Sequence, residues 1–183
     1  MTLCVPSGKH WGLSIRDVRG LPGRPATITN CGGGTATFDG QKEHPENGAS
    51  RQSTPISIKN CTHLRLTGRY SSSATVNRGI VAENAPRHQH GVHVHGGSSD
   101  IEVDHIVSRN HGYGGIVIRT YPECGGNFSR EEFSQNNTSV HDTIVSSVGG
   151  EGMYIGTSHY HRDEEGHVYG GSCPGETAAE ASL

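Results

Sequence analysis

The sequence predicts an all-β solenoid, a parallel β-helix of about four to five rungs built from short strands. Three observations predict it. Glycine fills 27 of 183 positions, about twice the usual ~7%. It is dispersed among Val, Ile and Thr, a mixture that favours short strands and tight turns. No long window carries the i, i+3, i+4, i+7 apolar spacing of an amphipathic helix. Finally, short apolar alternations recur along the chain, and that recurrence carries most of the argument.

In chain order, Thr27-Ile28-Thr29-Asn30-Cys31 returns as Ser57-Ile58-Lys59-Asn60-Cys61. Each copy is followed by a second alternation ending in glycine, Thr37-Phe38-Asp39-Gly40 and Arg65-Leu66-Thr67-Gly68. Gly91-Val92-His93-Val94-His95 then returns as Gly115-Ile116-Val117-Ile118-Arg119 and again as Gly152-Met153-Tyr154-Ile155-Gly156. Between the first two of these lie two more strand patterns, Asp100 to Asp104 and His105 to Ser108. Three short strands returning about every 24 residues describe one rung of a solenoid, which must stack on its neighbours to bury its apolar face. The longer interval before Gly152 is one rung plus an inserted loop, residues 121–136; a second insertion spans 157–175. The whole chain, 1–183, reads as one domain, with its repeat region from 25 to 160. Gly79-Ile80-Val81-Ala82-Glu83 fits two registers, the third strand of a long rung or a separate short rung, and Glu83 joins the column of His95 and Arg119 only in the second.

A β-sandwich would need hairpin turns between strands, and Asn47-Gly48 sits in a polar stretch without flanking strand patterns. A βαβ fold would need amphipathic helices. Composition excludes other classes. Lys+Arg is 15 against Asp+Glu 18, a formal net charge of −3, which suits neither a nucleic-acid wrap nor a charged disordered tail. No run approaches the ~18 apolar residues of a membrane helix. Met1 to Gly12 lacks the basic and apolar regions of a signal peptide, which leaves a cytosolic protein or a chain whose natural start is missing. Five cysteines without a CxxC argue against a zinc knuckle.

Gly91 to Asn110, Gly114 to Glu123 and the run Gly149-Gly150-Glu151-Gly152-Met153-Tyr154-Ile155-Gly156-Thr157-Ser158-His159-Tyr160 resemble the secreted bacterial right-handed parallel β-helix repeat proteins of the pectin-lyase-like superfamily. The resemblance covers roughly residues 25 to 160. It implies a right-handed coil, an extracellular or periplasmic location, and a polysaccharide as partner. It implies two alternatives for activity, a lyase cleaving uronate-containing glycans or a non-catalytic glycan-binding or structural module. Relatives carry further rungs, so the chain is expected to be a truncated fragment whose last rung leaves an open sheet edge.

Aligning the three glycine-led copies orients their side chains. Val92, Ile116 and Met153, with Val94, Ile118 and Ile155, are apolar throughout and point inward. His93, Val117 and Tyr154, with His95, Arg119 and Gly156, then point outward, where the resemblance implies a polysaccharide groove walled by the two insertions. Cleavage of a uronate by β-elimination needs a cation for the carboxylate, a base for the C5 proton and an acid for the leaving oxygen. Arg119 suits the first role, His93 or His95 the second, and Tyr154 or Tyr160 the third. Glu151 is the best single acid candidate in the glycine run, or else a turn residue; His159 and Tyr160 are candidate substrate contacts. A hydrolase would need two carboxylates about 5–10 Å apart, and Glu102 with Asp104 belong to a different sheet. His88-x-His90 and His93-x-His95 are HxH pairs without a third ligand at fixed spacing, so no metal residue is assigned. Calcium is the cofactor that the resemblance implies for lyases of this superfamily; it needs an oxygen cluster whose residues the sequence does not place. Cys31 and Cys61 are expected to stack on neighbouring rungs as a thiol ladder or disulfide. Cys124 and Cys173, one in each insertion, are the better disulfide pair, which leaves Cys4 over and implies an oxidising compartment.

Overall fold

The computed structural model describes residues 1–41, 53–71, 75–121, 127–129 and 132–156, together with the backbone of 161–162 and 168–169. The described residues contain no helix. Fifteen strands form three parallel five-stranded sheets. Sheet A holds β1 (Thr2–Val5), β4 (Ala26–Asn30), β7 (Thr62–Thr67), β10 (Ser99–Asp104) and β13 (Ser139–His141). Sheet B holds β2 (Gly8–His10), β5 (Ala36–Asp39), β8 (Ile80–Glu83), β11 (Ile106–His111) and β14 (Ile144–Val148). Sheet C holds β3 (Leu13–Arg16), β6 (Ile56–Lys59), β9 (Val92–His95), β12 (Ile116–Ile118) and β15 (Met153–Ile155). The chain visits A, B and C in turn five times, giving five complete rungs, the upper end of the four to five expected. The first rung begins at Thr2, ahead of the start at residue 25 read from the sequence. Two short strands, β16 (His161–Arg162) and β17 (Val168–Tyr169), pair antiparallel outside the coil.

Alternation decides what fills the coil. Ile15, Ile58, Val94 and Ile118 form one inward column of sheet C, and Ile56, Val92 and Ile116 another. Ile28, Leu66 and Val103 on sheet A and Ile80 and Ile106 on sheet B meet them in one buried cluster. Each such side chain contributes about 1.5–3 kcal/mol by leaving water. The corners between sheets need a left-handed residue, and Asn, Asp and His tolerate that conformation best among side-chain-bearing residues. They supply it on most rungs, Asn84 (φ 60°) just after β8, Asn110 (59°) near the end of β11, and His105 (53°) and Asp142 (51°) after sheet A, while Ser147 (54°) takes the place near the end of β14. Gly68, at the same A-to-B corner, admits no side chain, because a Cβ there would collide with the carbonyl oxygen of His105.

Two segment equivalences and one cysteine pairing differ from the sequence expectation, and the open register of residues 79–83 is decided. Thr27–Asn30 lies on sheet A and pairs with β7, Thr27 opposite Arg65, whereas Ser57–Lys59 lies on sheet C. The two look-alike segments are therefore on different sides of the coil. For the same reason Thr37–Asp39, on sheet B, and Arg65–Thr67, on sheet A, are not equivalent. Cys31 does not stack on Cys61. It bonds to Cys4, Cα to Cα 5.1 Å, because β1 pairs directly with β4 and brings Cys4 opposite Thr29. Cys61 is a buried free thiol. Ile80–Glu83 is the third strand of a long rung, on sheet B, so Glu83 pairs with Arg109 and stays apart from His95. Cys124 and Cys173 lie outside the described residues. No helix long and apolar enough to cross a membrane occurs among those described.

Candidate functional site

The Gly91, Gly115 and Gly152 copies stack as the sequence indicates: His93 opposite Val117 opposite Tyr154. Sheet C extends both outward columns back through two earlier rungs. Arg16 lies opposite Lys59 and Lys59 opposite His95, with Arg119 next in line; Ser14, Ser57 and His93 form the parallel column. Neither column contains a carboxylate. Strands stack about 4.8 Å apart, so one face carries Arg16, Lys59, His95 and Arg119 on four successive rungs.

The lysine and arginines on the strands of sheets A and B pair with carboxylates. On sheet B, Arg109 pairs with Glu83 at 2.7 Å, and Lys9 reaches Glu83 at 3.1 Å and Asp39 at 3.7 Å. On sheet A, Arg65 pairs with Asp104 at 2.8 Å and Glu102 at 3.3 Å. Arg16, Lys59 and Arg119 form no ion pair with a carboxylate among the described residues. Arg119 instead spreads its guanidinium over two aromatic rings, 4.5 Å from the centre of Tyr121 and 5.5 Å from that of Tyr154. Such stacking holds the group in place without cancelling its charge.

A cavity of about 300 Å³ opens on this face, lined by Lys59, His93, His95, Gly96, Thr120, Tyr121 and Phe128. Gly96 (φ +61°) marks the corner after β9 and lets the Lys59 stem lie close to the backbone. Thr120 accepts the Gly97 amide at 2.9 Å and fixes the opposite wall. Phe128, braced edge-on by Phe133 at 5.9 Å between ring centres, overhangs from the insertion. The histidines form a stack. His93 and His95 lie face to face at 4.3 Å, and His90 meets His93 edge-on at 4.8 Å. Burial, then the neighbouring histidines and Arg119, pushes His93 down to about 3. Burial, then Arg119, takes His90 to about 4. Burial, then Lys59 and Arg16, holds His95 below its ordinary value. All three rings are therefore neutral at pH 7. Four buried side-chain polar atoms among the described residues have no hydrogen-bond partner, and three belong here: His90 Nδ1, His93 Nε2 and Arg119 Nε. Unsatisfied buried groups are costly and concentrate at functional sites.

Of the residues singled out in the sequence, His93, His95, Arg119 and Tyr154 thus meet on one face. Glu151 precedes β15 in the turn, where its carbonyl accepts the Gly115 amide at 3.0 Å; its exposed side chain does not line the cavity. His159 and Tyr160 lie outside the described residues. Sequence reasoning passed over Lys59, Tyr121, Thr120 and Phe128, and weighed His90 only as half of an HxH pair. Lys59 had a usable signal: Leu13-Ser14-Ile15-Arg16, Ile56-Ser57-Ile58-Lys59 and Val92-His93-Val94-His95 share one pattern, obscured by the stronger likeness of residues 57–61 to 27–31.

Sheet A offers less. Glu102, Asp104 and His141 bring their ligand atoms within 4.8 Å of one another. The space between them is served by Arg65 and by hydrogen bonds, and a guanidinium at this place repels a metal ion. Asp104 is completely buried. Burial alone would push its carboxyl up, but hydrogen bonds from Arg65, Thr67 and His105 hold it below its ordinary value. It is a structural anion, so the paired carboxylates of a hydrolase are not available there. Sheet C has no carboxylate column among the described residues, so its donor set does not suit calcium. A further cavity of about 340 Å³ lies between the Leu21–Pro25 turn and sheet A. Its polar floor is internally satisfied, Asp100 accepting from Asn137 at 2.7 Å beside His63 at 3.9 Å. No family model, no curated protein and no solved structure matches this chain.

Proposed function

We propose that the outer face of sheet C binds an acidic, uronate-containing polysaccharide and cleaves it by β-elimination, in a right-handed coil of the pectin-lyase-like class. One observation carries the reading: a column of basic side chains on four successive rungs, three of them the cations Arg16, Lys59 and Arg119, with no carboxylate partner among the described residues. An anionic polymer supplies those partners once per rung, as no neutral glycan can. Right-handedness is supported by the general rule that crossovers between parallel strands of one sheet are right-handed. The disulfide between Cys4 and Cys31 supports work outside a reducing cytoplasm.

The cavity groups suit the reaction. Lys59 and Arg119 offset the uronate carboxylate and so make the C5 proton removable. His95, kept neutral by burial and by its cationic neighbours, accepts that proton. As the C4–C5 double bond forms and the C4–O bond breaks, the Tyr121 hydroxyl protonates the departing oxygen. No oxidant or co-reactant is required. The test is incubation of the chain with polygalacturonate, alginate and a neutral glucan, following both electrophoretic retardation and the ultraviolet absorbance of unsaturated uronate ends. Retardation by the uronates with rising absorbance, both lost in Lys59→Ala/Arg119→Ala, is the expected result. Retardation without absorbance would make the chain a non-catalytic binding module. Equal retardation by the neutral glucan would remove the electrostatic basis of the reading.

A further inference from the structure

We propose that His95 is the proton-accepting partner of Lys59 in a carboxylate subsite, so that the site takes up a proton from solvent as the acidic chain docks. This rests on the reading of sheet C as an acidic-glycan surface and specifies how pH acts on it. His95 and Lys59 are direct register neighbours on β9 and β6, and both line the cavity. The His95 ring is stacked on His93, and its Nε2 lies 3.2 Å from Ser57 Oγ.

What surrounds that ring decides its behaviour. From β3 and β6 come Arg16 and Lys59; from the end of β12 come Arg119, Thr120 and Tyr121; from its own strand and the preceding turn come the neutral His93 and His90. Phe128 closes the outer side. Glu151 acts on His90 and is absent from the groups that shift His95. In the empty site a proton on His95 would sit among cations, partly out of water, with no anion to offset it. A carboxylate entering beside Lys59 reverses each of those terms, because an opposite charge within about 4–6 Å favours the protonated ring. Binding and protonation are then linked, and each strengthens the other by the same factor. His93, more deeply covered, stays neutral. Affinity should therefore rise as pH falls below the histidine range, while turnover falls, because a His95 already carrying a proton cannot take the one on C5.

The experiment is isothermal titration calorimetry of the whole chain with an oligogalacturonate at pH 6, in buffers of low and high ionisation enthalpy. An uptake of a substantial fraction of a proton per bound chain, at most about three quarters, is expected if the bound ring returns to its ordinary value. His95→Gln should lose the uptake, and its affinity should stay flat between pH 8 and 5.5, where the wild type tightens several-fold. Binding heats independent of buffer in the wild type, or the same uptake in the variant, would overturn the assignment of His95 alone. Absence of binding at every pH would overturn it together with the reading of sheet C.

Discussion

Acidification should unfold this coil well before its carboxylates titrate, and His111 shows why. The ring is 3% exposed and is held by three hydrogen bonds in series. The Ala85 amide donates to Nδ1 at 3.2 Å, so that nitrogen must be bare. Nε2–H then donates to Ser108 Oγ at 2.9 Å, and the Ser108 hydroxyl donates to the Gly115 carbonyl at 2.9 Å. The chain of bonds ties β8, β11 and the start of β12 together. A proton on Nδ1 would face the Ala85 N–H donor directly. Burial, with His90 as a minor contributor, takes His111 from its ordinary 6.5 down to about 4. His90, 6% exposed, falls equally far.

The sign follows from linkage. Folding lowers these values, so between pH 4 and 6.5 the unfolded chain binds more protons than the folded one. Stability is then complete above about 6.5 and lost as pH falls towards 4. A displacement from 6.5 to about 4 corresponds to roughly 3 kcal/mol per histidine, and with His93, taken down to about 3, the slope for three such groups approaches about 4 kcal/mol per pH unit. His141 works the other way, since the hydrogen bonds it donates to Asp142 and Glu102 raise it, but it is largely exposed and its effect is screened. The assay is urea denaturation at half-unit steps from pH 8 to 4.5, for the wild type and for His111→Gln. The variant should be less stable at pH 8 and should lose about a third of the wild-type slope. A stability that does not change between pH 7 and 5, or an unchanged slope in the variant, would refute the reasoning.

Other consequences can be checked separately. Arg65→Ala strips the buried Asp104 carboxylate of its cation and should cost about 3 kcal/mol, measured by denaturant midpoint; Arg65→Ala/Asp104→Asn should recover part of it. Gly68→Ala should lower the thermal midpoint far more than Gly152→Ala, because only at Gly68 does backbone occupy the Cβ position. Reduction of the bond between Cys4 and Cys31 should loosen the first rung, read as faster amide exchange in β1 and β4 than in β10. Glu102→Gln should leave uronate binding and cleavage unchanged, since Glu102 faces out from sheet A and not from sheet C; a large loss would reopen the hydrolase reading.

Much of this was written in local residue order. Period-two alternation assigns Val92, Val94, Ile116 and Ile118 to the interior whatever the rung count, and the repeated glycine-led copies fix their mutual register. The outward placement of His93, His95 and Arg119 follows from the same alternation, because a strand offers a side chain only two faces. What alternation cannot encode is which of three sheets a strand joins. Thr27–Asn30 and Ile56–Lys59 have nearly the same pattern, and only the corner lengths and the hydrogen bonds between rungs send one to sheet A and the other to sheet C. That single choice pairs Cys31 with Cys4 rather than Cys61, and it brings Lys59 beside His95 to complete the cationic column. The tertiary structure alone also decided that Asp104 is buried beneath Arg65, and that Phe128 roofs the cavity. Charge pairing across rungs and the path of an insertion depend on distances between residues far apart in the chain, and no short window of sequence contains them.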